Sequence, residues 1–340
     1  MKKNSSFLEI LDTYLTLYLP NAVGVSPNTI ISYKTTFRLL VQFIFQAKSV
    51  PADQITFEML DYQLLMEFLS WIETERKCCA ATKNLRLAAL ASFSSYAQNR
   101  DLDAATAFRR SVNKIPYKRC HNNKRAVMTR EEVTILMALP DDHYITGRRD
   151  KVMLMLMYAT GARAQEICDL TVGDINFKQN GAVVNILGKG QKRRKIAIPA
   201  ACADAIKKYI RYRGIAELPE KHIFSSKTHE KMTVSCIEAV FKKYISVAKK
   251  QHPDMFREKS YPPHSMRHTT ACHLLESGVP LMVIKNFLGH SSILTTQIYA
   301  ELSQATVDKK LKEWNEKWFD EKNFKEHNEE INRIPTFLMP

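Results

Sequence analysis

Apolar residues recur every three or four positions through the first hundred residues, which is the spacing of helices packed on a core. Ser26 followed by Pro27 predicts a helix start, because serine caps a helix and proline is tolerated at its first position. A second helix carries the apolar series Leu64, Leu65, Phe68, Leu69 and Ile72. The pattern predicts a compact domain of four or five helices over residues 1–112.

The third of these helices is predicted over residues 81–98. We expect Leu85, Leu87, Leu90 and Phe93 on its apolar side and Lys83 and Arg86 outside it.

The rest of the chain is also mainly helical. Thr129 and Glu132 form a capping-box pattern that opens a second domain. A buried helix is predicted over 149–158, then a turn at Thr160-Gly161, then a short helix from Arg163 to about residue 170. Residues 182–186 and 195–198 are predicted to form a hairpin around a tight turn at 188–191, and this is the one clear β signal. The predicted fold is therefore mainly α with a small antiparallel β-sheet.

A strongly basic segment separates the two helical regions. Residues 109–130 hold eight basic residues and no acidic one, and Pro116 interrupts any helix there. We predict that 113–127 is a basic linker lying against phosphates, with a solvated charged loop as the alternative.

The formal net charge of +15 predicts a large anionic partner, either nucleic acid or a membrane surface. No apolar run reaches the roughly 20 residues of a spanning helix, and Glu9 and Asp12 argue against a signal peptide. We therefore predict no membrane partner. Seven cysteines, an odd number with no CxxC pair, indicate reduced thiols and a cytoplasmic protein.

His264 and His268 have the spacing of two zinc ligands on a helix, but serine follows the first histidine where a zinc protease has glutamate. Arg267 would also place a fixed positive charge beside the metal. We therefore predict no metal, and a histidine and arginine that serve a strongly anionic target.

Other candidates carry little weight one by one. Residues in such positions are more often structural or solvated than catalytic. They are a lone Tyr299, His290 after a Leu-Gly helix end, Lys189 in a hairpin turn and Arg163 after a turn. The complete series is more informative. In chain order it is Arg163, Lys189, His264, Arg267, His290 and Tyr299.

This series resembles the tyrosine recombinase, or phage integrase, family. The resemblance rests on TGARAQEICDL (160–170), LGKGQKRRKIAIP (187–199) and HSMRHTTACHLLESGVPLMVIKNFLGHSSILTTQIYA (264–300). More weakly, SPNTIISY and ATKNLRLAALASF resemble the family's helical, SAM-like core-binding domain. Ala162 and Met266 depart from the commonest pattern, which leaves packing detail open. The resemblance implies a core-binding domain followed by an α+β catalytic domain over 128–305.

The resemblance also implies a mechanism without metal, nucleotide or other cofactor. In this implied mechanism Tyr299 would attack the phosphorus and leave a 3′-phosphotyrosine. Arg163 and Arg267 would hold the non-bridging oxygens. His264 would accept the tyrosine proton, Lys189 would protonate the leaving 5′-oxygen, and His290 would hydrogen-bond a phosphate oxygen. Glu166 is expected to be a supporting carboxylate.

The implied partner is double-stranded DNA, bound by a homotetramer on two sites that exchanges strands through a Holliday junction. Accessory DNA-bending proteins are compatible with this. The tail at 306–340 ends in the apolar Phe337-Leu338-Met339, which either docks on a neighbouring protomer or belongs to an intramolecular helix.

A mobile-element integrase is the first functional expectation and a chromosome-dimer resolvase the second. A type IB topoisomerase would share the tyrosine chemistry. A catalytically silent DNA-binding regulator and a basic scaffold or membrane-surface protein are the rivals from other classes.

Overall fold

The computed structural model describes residues 7–120, 126–188, 192–226, 228–290, 292 and 296. The chain divides into two compact units, residues 1–123 and residues 124–340. Within the described residues, no helix combines the length and apolar character needed to cross a membrane.

The first unit is helical, as the periodicity predicts. Its elements are α1 (Phe7–Thr13) continued by a π-helical segment (Tyr14–Val23), α2 (Pro27–Lys48), a 3₁₀ turn (Ala52–Gln54), α3 (Tyr62–Thr74), α4 (Ala80–Arg100) and α5 (Leu102–Asn113). Ser26 caps α2, and its side chain accepts a hydrogen bond from the Thr29 amide at 3.3 Å. The predicted start at Ser26-Pro27 is confirmed, and α5 ends three residues before Pro116.

Aromatic rings fill the centre of this unit. Phe93 of α4 lies 4.9 Å from Phe37 and 5.8 Å from Phe7 between ring centroids, in edge-on arrangements. Phe108 of α5 packs on it at 6.0 Å. These distances are typical of favourable ring pairs, so α1, α2, α4 and α5 share one core.

The predicted faces of α4 are partly wrong. Leu85 is 47% exposed, whereas Lys83 is only 7% exposed. Lys83 lies one turn before Leu87, on the buried row of the helix, and its ammonium is 2.8 Å from a carboxylate oxygen of Glu73 in α3. Arg86 also turns inward, donating to the Ser32 carbonyl oxygen at 2.9 Å. Partners on other helices therefore override the apolar pattern.

The start of the predicted basic linker is held on this unit. The Lys118 ammonium contacts both carboxylate oxygens of Glu73, at 2.7 and 2.9 Å. The Asn84 side chain accepts from the Lys118 amide at 3.0 Å and donates to its carbonyl oxygen at 2.8 Å. At least one lysine of the segment thus has an acidic partner from outside it, while phosphate contact by the others stays a prediction.

The second unit combines helices with a small sheet. Its helices are α6 (Arg130–Ala138), α7 (Ile145–Thr160), α8 (Ala164–Asp169), α9 (Ala200–Tyr212), α10 (Val234–Gln251), α11 (His264–Glu276) and α12 (Leu281–Leu288). Its strands are β1 (Ile175–Lys178), β2 (Gly181–Leu187) and β3 (Arg193–Ile198), antiparallel in the order β1-β2-β3. The predicted mainly α fold with a small antiparallel sheet is confirmed.

Strand β1 was not predicted, so the hairpin is not the whole of the β structure. It is four residues long and follows a 3₁₀ turn (Val172–Asp174), which is too short for a clear alternating pattern. It is recognised only through its register with β2, where Ile175 pairs with Val184.

The predicted capping box of α6 is confirmed. Thr129 Oγ1 accepts from the Glu132 amide at 3.1 Å, and Glu132 Oε2 accepts from the Thr129 amide at 2.8 Å. The preceding Met128 amide donates to Thr269 Oγ1 of α11 at 2.9 Å. These contacts fix the start of the second unit against the helix that carries His264 and Arg267.

Candidate active site

Arg267 lies at the centre of the candidate site. It is 1% exposed, and its Nη1 donates to the Gly161 carbonyl oxygen at 2.8 Å while its Nη2 donates to that of Leu288 at 2.7 Å. These carbonyls stand at the ends of α7 and α12, where a helix leaves its last oxygens without intrahelical partners. One guanidinium therefore joins the ends of two helices to α11.

Gly161 ends α7 with a positive φ of 58°, which a side chain rarely adopts. A Cβ atom there would lie 2.8 Å from Leu288 Cδ2. The glycine thus allows α7 and α12 to approach closely, two residues before Arg163.

We expect Gly161→Ala to lower the free energy of unfolding by about 1–3 kcal/mol, because it combines the positive φ with a steric clash. Gly214→Ala is the matched control, since Gly214 also has a positive φ of 66° but nothing within 4 Å of an added Cβ. Chemical denaturation of both variants measures the difference. Equal losses of unfolding free energy in the two variants would mean that the clash with Leu288 does not contribute to the destabilisation.

Arg163 precedes α8 and is tied to Glu166 one turn later. Its amide donates to Glu166 Oε2 and its Nη1 to Oε1, both at 2.8 Å. The Arg163 side chain keeps 34% of its surface exposed. Glu166 therefore holds the backbone and one guanidinium nitrogen of Arg163, and the exposed part of the side chain is accessible to a ligand.

Glu166 is buried and also binds Arg194 of β3, whose Nη2 lies 2.7 Å from Oε2 and whose Nη1 lies 3.1 Å from Oε1. Burial raises the pKa of Glu166, but the hydrogen bond and charge of Arg194, followed by Arg163, outweigh it and lower the pKa below its usual value. Glu166 is thus an ionised carboxylate shared by two arginines.

The histidines lie on two elements. His264 is the exposed first residue of α11, and its ring is 4.8 Å from that of His268 in an edge-on arrangement. His290 follows Gly289, which ends α12 with a positive φ of 68°. His290 Nδ1 is 2.9 Å from Thr296 Oγ1. Burial and then the charges of Arg267 and Arg163 lower the pKa of His290 to about 4, so its imidazole is neutral near pH 7.

We expect the His290 imidazole to titrate near pH 4 in the folded protein, measured by proton NMR with His290→Gln to assign the signal. Because the folded pKa lies below the ordinary value of 6.5, the stability linked to the neutral ring is complete above about pH 6.5 and is lost as the pH falls towards 4. The His290→Gln variant should lose less stability over this interval. Titration near 6.5 would contradict this environment.

Four of the six predicted positions are therefore described: Arg163, His264, Arg267 and His290. The Arg267 contacts and the electrostatic influence of Arg267, Arg163 and His264 on His290 bring them into one region. Lys189 and Tyr299, like the tail at 306–340, lie outside the described residues. On the two sides of the segment 189–191, the Gly188 amide donates to the Lys192 carbonyl oxygen at 2.9 Å.

Arg194 is a residue of the candidate site that the sequence analysis did not single out, because the basic run Lys192-Arg193-Arg194-Lys195 is typical of a solvated charged hairpin. Strand alternation is the signal that could have separated it. Arg193 and Lys195 are exposed, whereas only 10% of the Arg194 side chain is.

One group in the described chain brings three candidate metal ligands together, Asp141, Asp142 and His143. All three are exposed, His143 pairs with Asp141, and Asp142 pairs with Lys151. The group is made of adjacent loop residues, so we assign it no role.

Comparison with known proteins agrees with this geometry. Residues 126–306 match the phage integrase family and residues 6–113 match the phage integrase SAM-like domain. A putative integrase/recombinase, y4rC of Sinorhizobium fredii, is 32% identical over 90% of both chains. Tyrosine recombinase XerC of Chlamydia caviae is 29% identical over 88% of this chain and 95% of its own.

Solved structures agree on the fold. The Tn1549 transposon integrase in complex with transposon right end DNA has a TM-score of 0.66 and 19% identity, covering 89% of this chain and 98% of that one. The XerH site-specific recombinase bound to a palindromic difH substrate has a TM-score of 0.64 and 19% identity, covering 84% and 80%. The chain therefore belongs to the phage integrase family, the tyrosine recombinases that cleave and rejoin DNA strands.

Proposed function

We propose that this chain is a site-specific DNA recombinase that joins itself to DNA through Tyr299. The observation that carries the proposal is the buried Arg267, which ties Gly161, two residues before Arg163, to Leu288, two residues before His290. This arrangement concentrates positive charge and hydrogen-bond donors, as an attacked phosphodiester requires.

In the proposed reaction the Tyr299 oxygen attacks the phosphorus while its proton passes to His264. Arg163 and Arg267 stabilise the charge on the non-bridging oxygens, and neutral His290 donates a hydrogen bond to one of them. The bond to the 5′-oxygen breaks, and Lys189 supplies the proton to that oxygen. The phosphotyrosyl link preserves the energy of the broken bond, so rejoining is the reverse attack by a 5′-hydroxyl.

The DNA is double-stranded, and we propose four protomers on two sites, with accessory DNA-bending proteins as an added option. The tail at 306–340 would either dock on a neighbouring protomer or form an intramolecular helix. An odd number of cysteines with no CxxC pair favours action in the cytoplasm, where thiols stay reduced.

Within the family we favour a mobile-element integrase, because y4rC is named an integrase/recombinase and is 32% identical over 90% of this chain. A chromosome-dimer resolvase is the second candidate, because XerC proteins are similar over most of this chain. Inverted repeats next to the gene that serve as substrates would favour the first. Sites found only elsewhere in the chromosome would favour the second.

The test uses nicked duplexes tiled from the DNA that flanks the gene. The wild-type chain is expected to form an SDS-resistant protein–DNA adduct on a subset of them. Relaxation of plasmid DNA without site preference would indicate a topoisomerase instead. Sequence-specific binding without an adduct would indicate a silent regulator, and neither binding preference nor adduct would indicate a basic scaffold.

A further inference from the structure

The position of Arg194 on β3 is unusual for a residue in a basic run. Its neighbours Arg193 and Lys195 face solvent, while its own side chain is 10% exposed and lies against Glu166. Burying a guanidinium is unfavourable unless its charge is compensated. The two hydrogen bonds to Glu166 supply this compensation, so the side chain has a defined position.

Arg194 shares Glu166 with Arg163. Arg194 forms a bidentate pair with both carboxylate oxygens of Glu166, and the Arg163 guanidinium makes a single hydrogen bond to Oε1. Two positive charges therefore share one negative charge. Without Arg194, the buried carboxylate would have Arg163 as its remaining ionic partner, and it would draw that guanidinium away from the phosphate and cancel its charge.

Arg194 also lies close to the segments that carry two other candidate residues. A Cβ atom on Gly188, next to Lys189, would lie 3.4 Å from Arg194 Nη1. A Cβ atom on Gly289, next to His290, would lie 3.3 Å from Arg194 Cδ and 3.4 Å from Nη1. Both glycines leave room for this one side chain, which thus extends from β3 to the end of β2, α8 and the end of α12.

We propose that Arg194 is a positioning residue for strand cleavage: it holds Glu166 so that Arg163 stays directed at the scissile phosphate, and it fixes the segments that carry Lys189 and His290. The inference rests on the proposed recombinase function. It predicts that loss of Arg194 slows cleavage of bound DNA and leaves the affinity for DNA nearly unchanged, because Arg194 acts through protein groups.

The test compares Arg194→Gln, Arg194→Lys and the matched control Arg193→Gln, which removes the same charge from the exposed neighbour. Single-turnover cleavage of a nicked flank duplex at saturating protein gives the rate, and fluorescence anisotropy on the same duplex gives the dissociation constant. We expect Arg194→Gln to slow cleavage about 10- to 100-fold with less than about a threefold change in dissociation constant. Arg194→Lys should recover part of the rate, and Arg193→Gln should retain it.

Glu166→Gln, alone and combined with Arg194→Gln, shows whether Arg194 acts through Glu166. The combined loss of rate should be smaller than the product of the single losses. If the two losses of cleavage rate multiply in the double variant, and Arg194→Gln also binds DNA more weakly, Arg194 contacts the phosphate directly and the inference is overturned. An unchanged rate in a folded Arg194→Gln variant would overturn it as well. A wild-type chain that forms no adduct would instead refute the recombinase function.

Discussion

Tyr299→Phe is expected to abolish the covalent protein–DNA adduct, with a loss of at least about 10⁴-fold in single-turnover cleavage. The substitution removes one oxygen atom, the proposed nucleophile, and keeps the aromatic ring. Phosphate binding depends on Arg163, Arg267 and His290 in the proposal, so the dissociation constant for a nicked flank duplex should stay within about threefold of wild type. SDS gels measure the adduct and anisotropy measures binding.

Tyr144→Phe is the matched control, because Tyr144 is a 68% exposed tyrosine of the same unit. It should form the adduct at the wild-type rate. Digestion of the wild-type adduct should yield DNA linked to the peptide that contains Tyr299. An adduct that persists in Tyr299→Phe, or a linked peptide from elsewhere in the chain, would remove Tyr299 from its proposed role.

Local sequence rules were enough to place several elements. Ser26-Pro27 and the pair Thr129 and Glu132 mark helix starts because each cap is made by residues within three positions. The hairpin of β2 and β3 was predicted for the same reason, since its turn is short. Interactions of this kind can be predicted from the sequence because both partners are close along the chain.

Features that depend on distant partners were missed. Lys83 is buried because Glu73 lies on another helix, ten residues away, and β1 is defined by pairing with β2. Arg194 was missed because its carboxylate partner, Glu166, is 28 residues earlier. Strand alternation could have indicated that Arg194 turns inward, but no periodicity in a single sequence identifies the distant residue that it pairs with.

The candidate site shows the same division. The family motifs predicted Arg163, His264, Arg267 and His290 as site residues from their spacing. The contacts that hold Arg267 were not predictable from the sequence. Its partners Gly161 and Leu288 are 106 and 21 residues away along the chain, and only the fold brings the ends of α7 and α12 to it. Motif resemblance thus gave the residue types, and the fold supplies their support.

Arg267→Lys is expected both to destabilise the second unit and to remove strand cleavage. The single ammonium of lysine cannot reproduce the fork that donates to the carbonyl oxygens of Gly161 and Leu288. Leaving buried carbonyls without a good partner should lower the free energy of unfolding by about 2–4 kcal/mol. Loss of the oriented donors should slow cleavage by about 10²–10³-fold or more, measured at a temperature where the variant is folded.

Arg213→Lys separates the two effects. Arg213 also donates to two main-chain carbonyl oxygens, those of His222 and Ile223, at 2.9 and 2.6 Å, and it stands after α9 with no assigned part in the reaction. Its variant should lose about 1–2 kcal/mol of stability yet keep the wild-type cleavage rate while folded. If Arg267→Lys is less stable but cleaves DNA at the same rate as Arg213→Lys, then Arg267 only stabilises the ends of α7 and α12. If it loses cleavage while folded, the same guanidinium that joins α7, α11 and α12 also serves the phosphate.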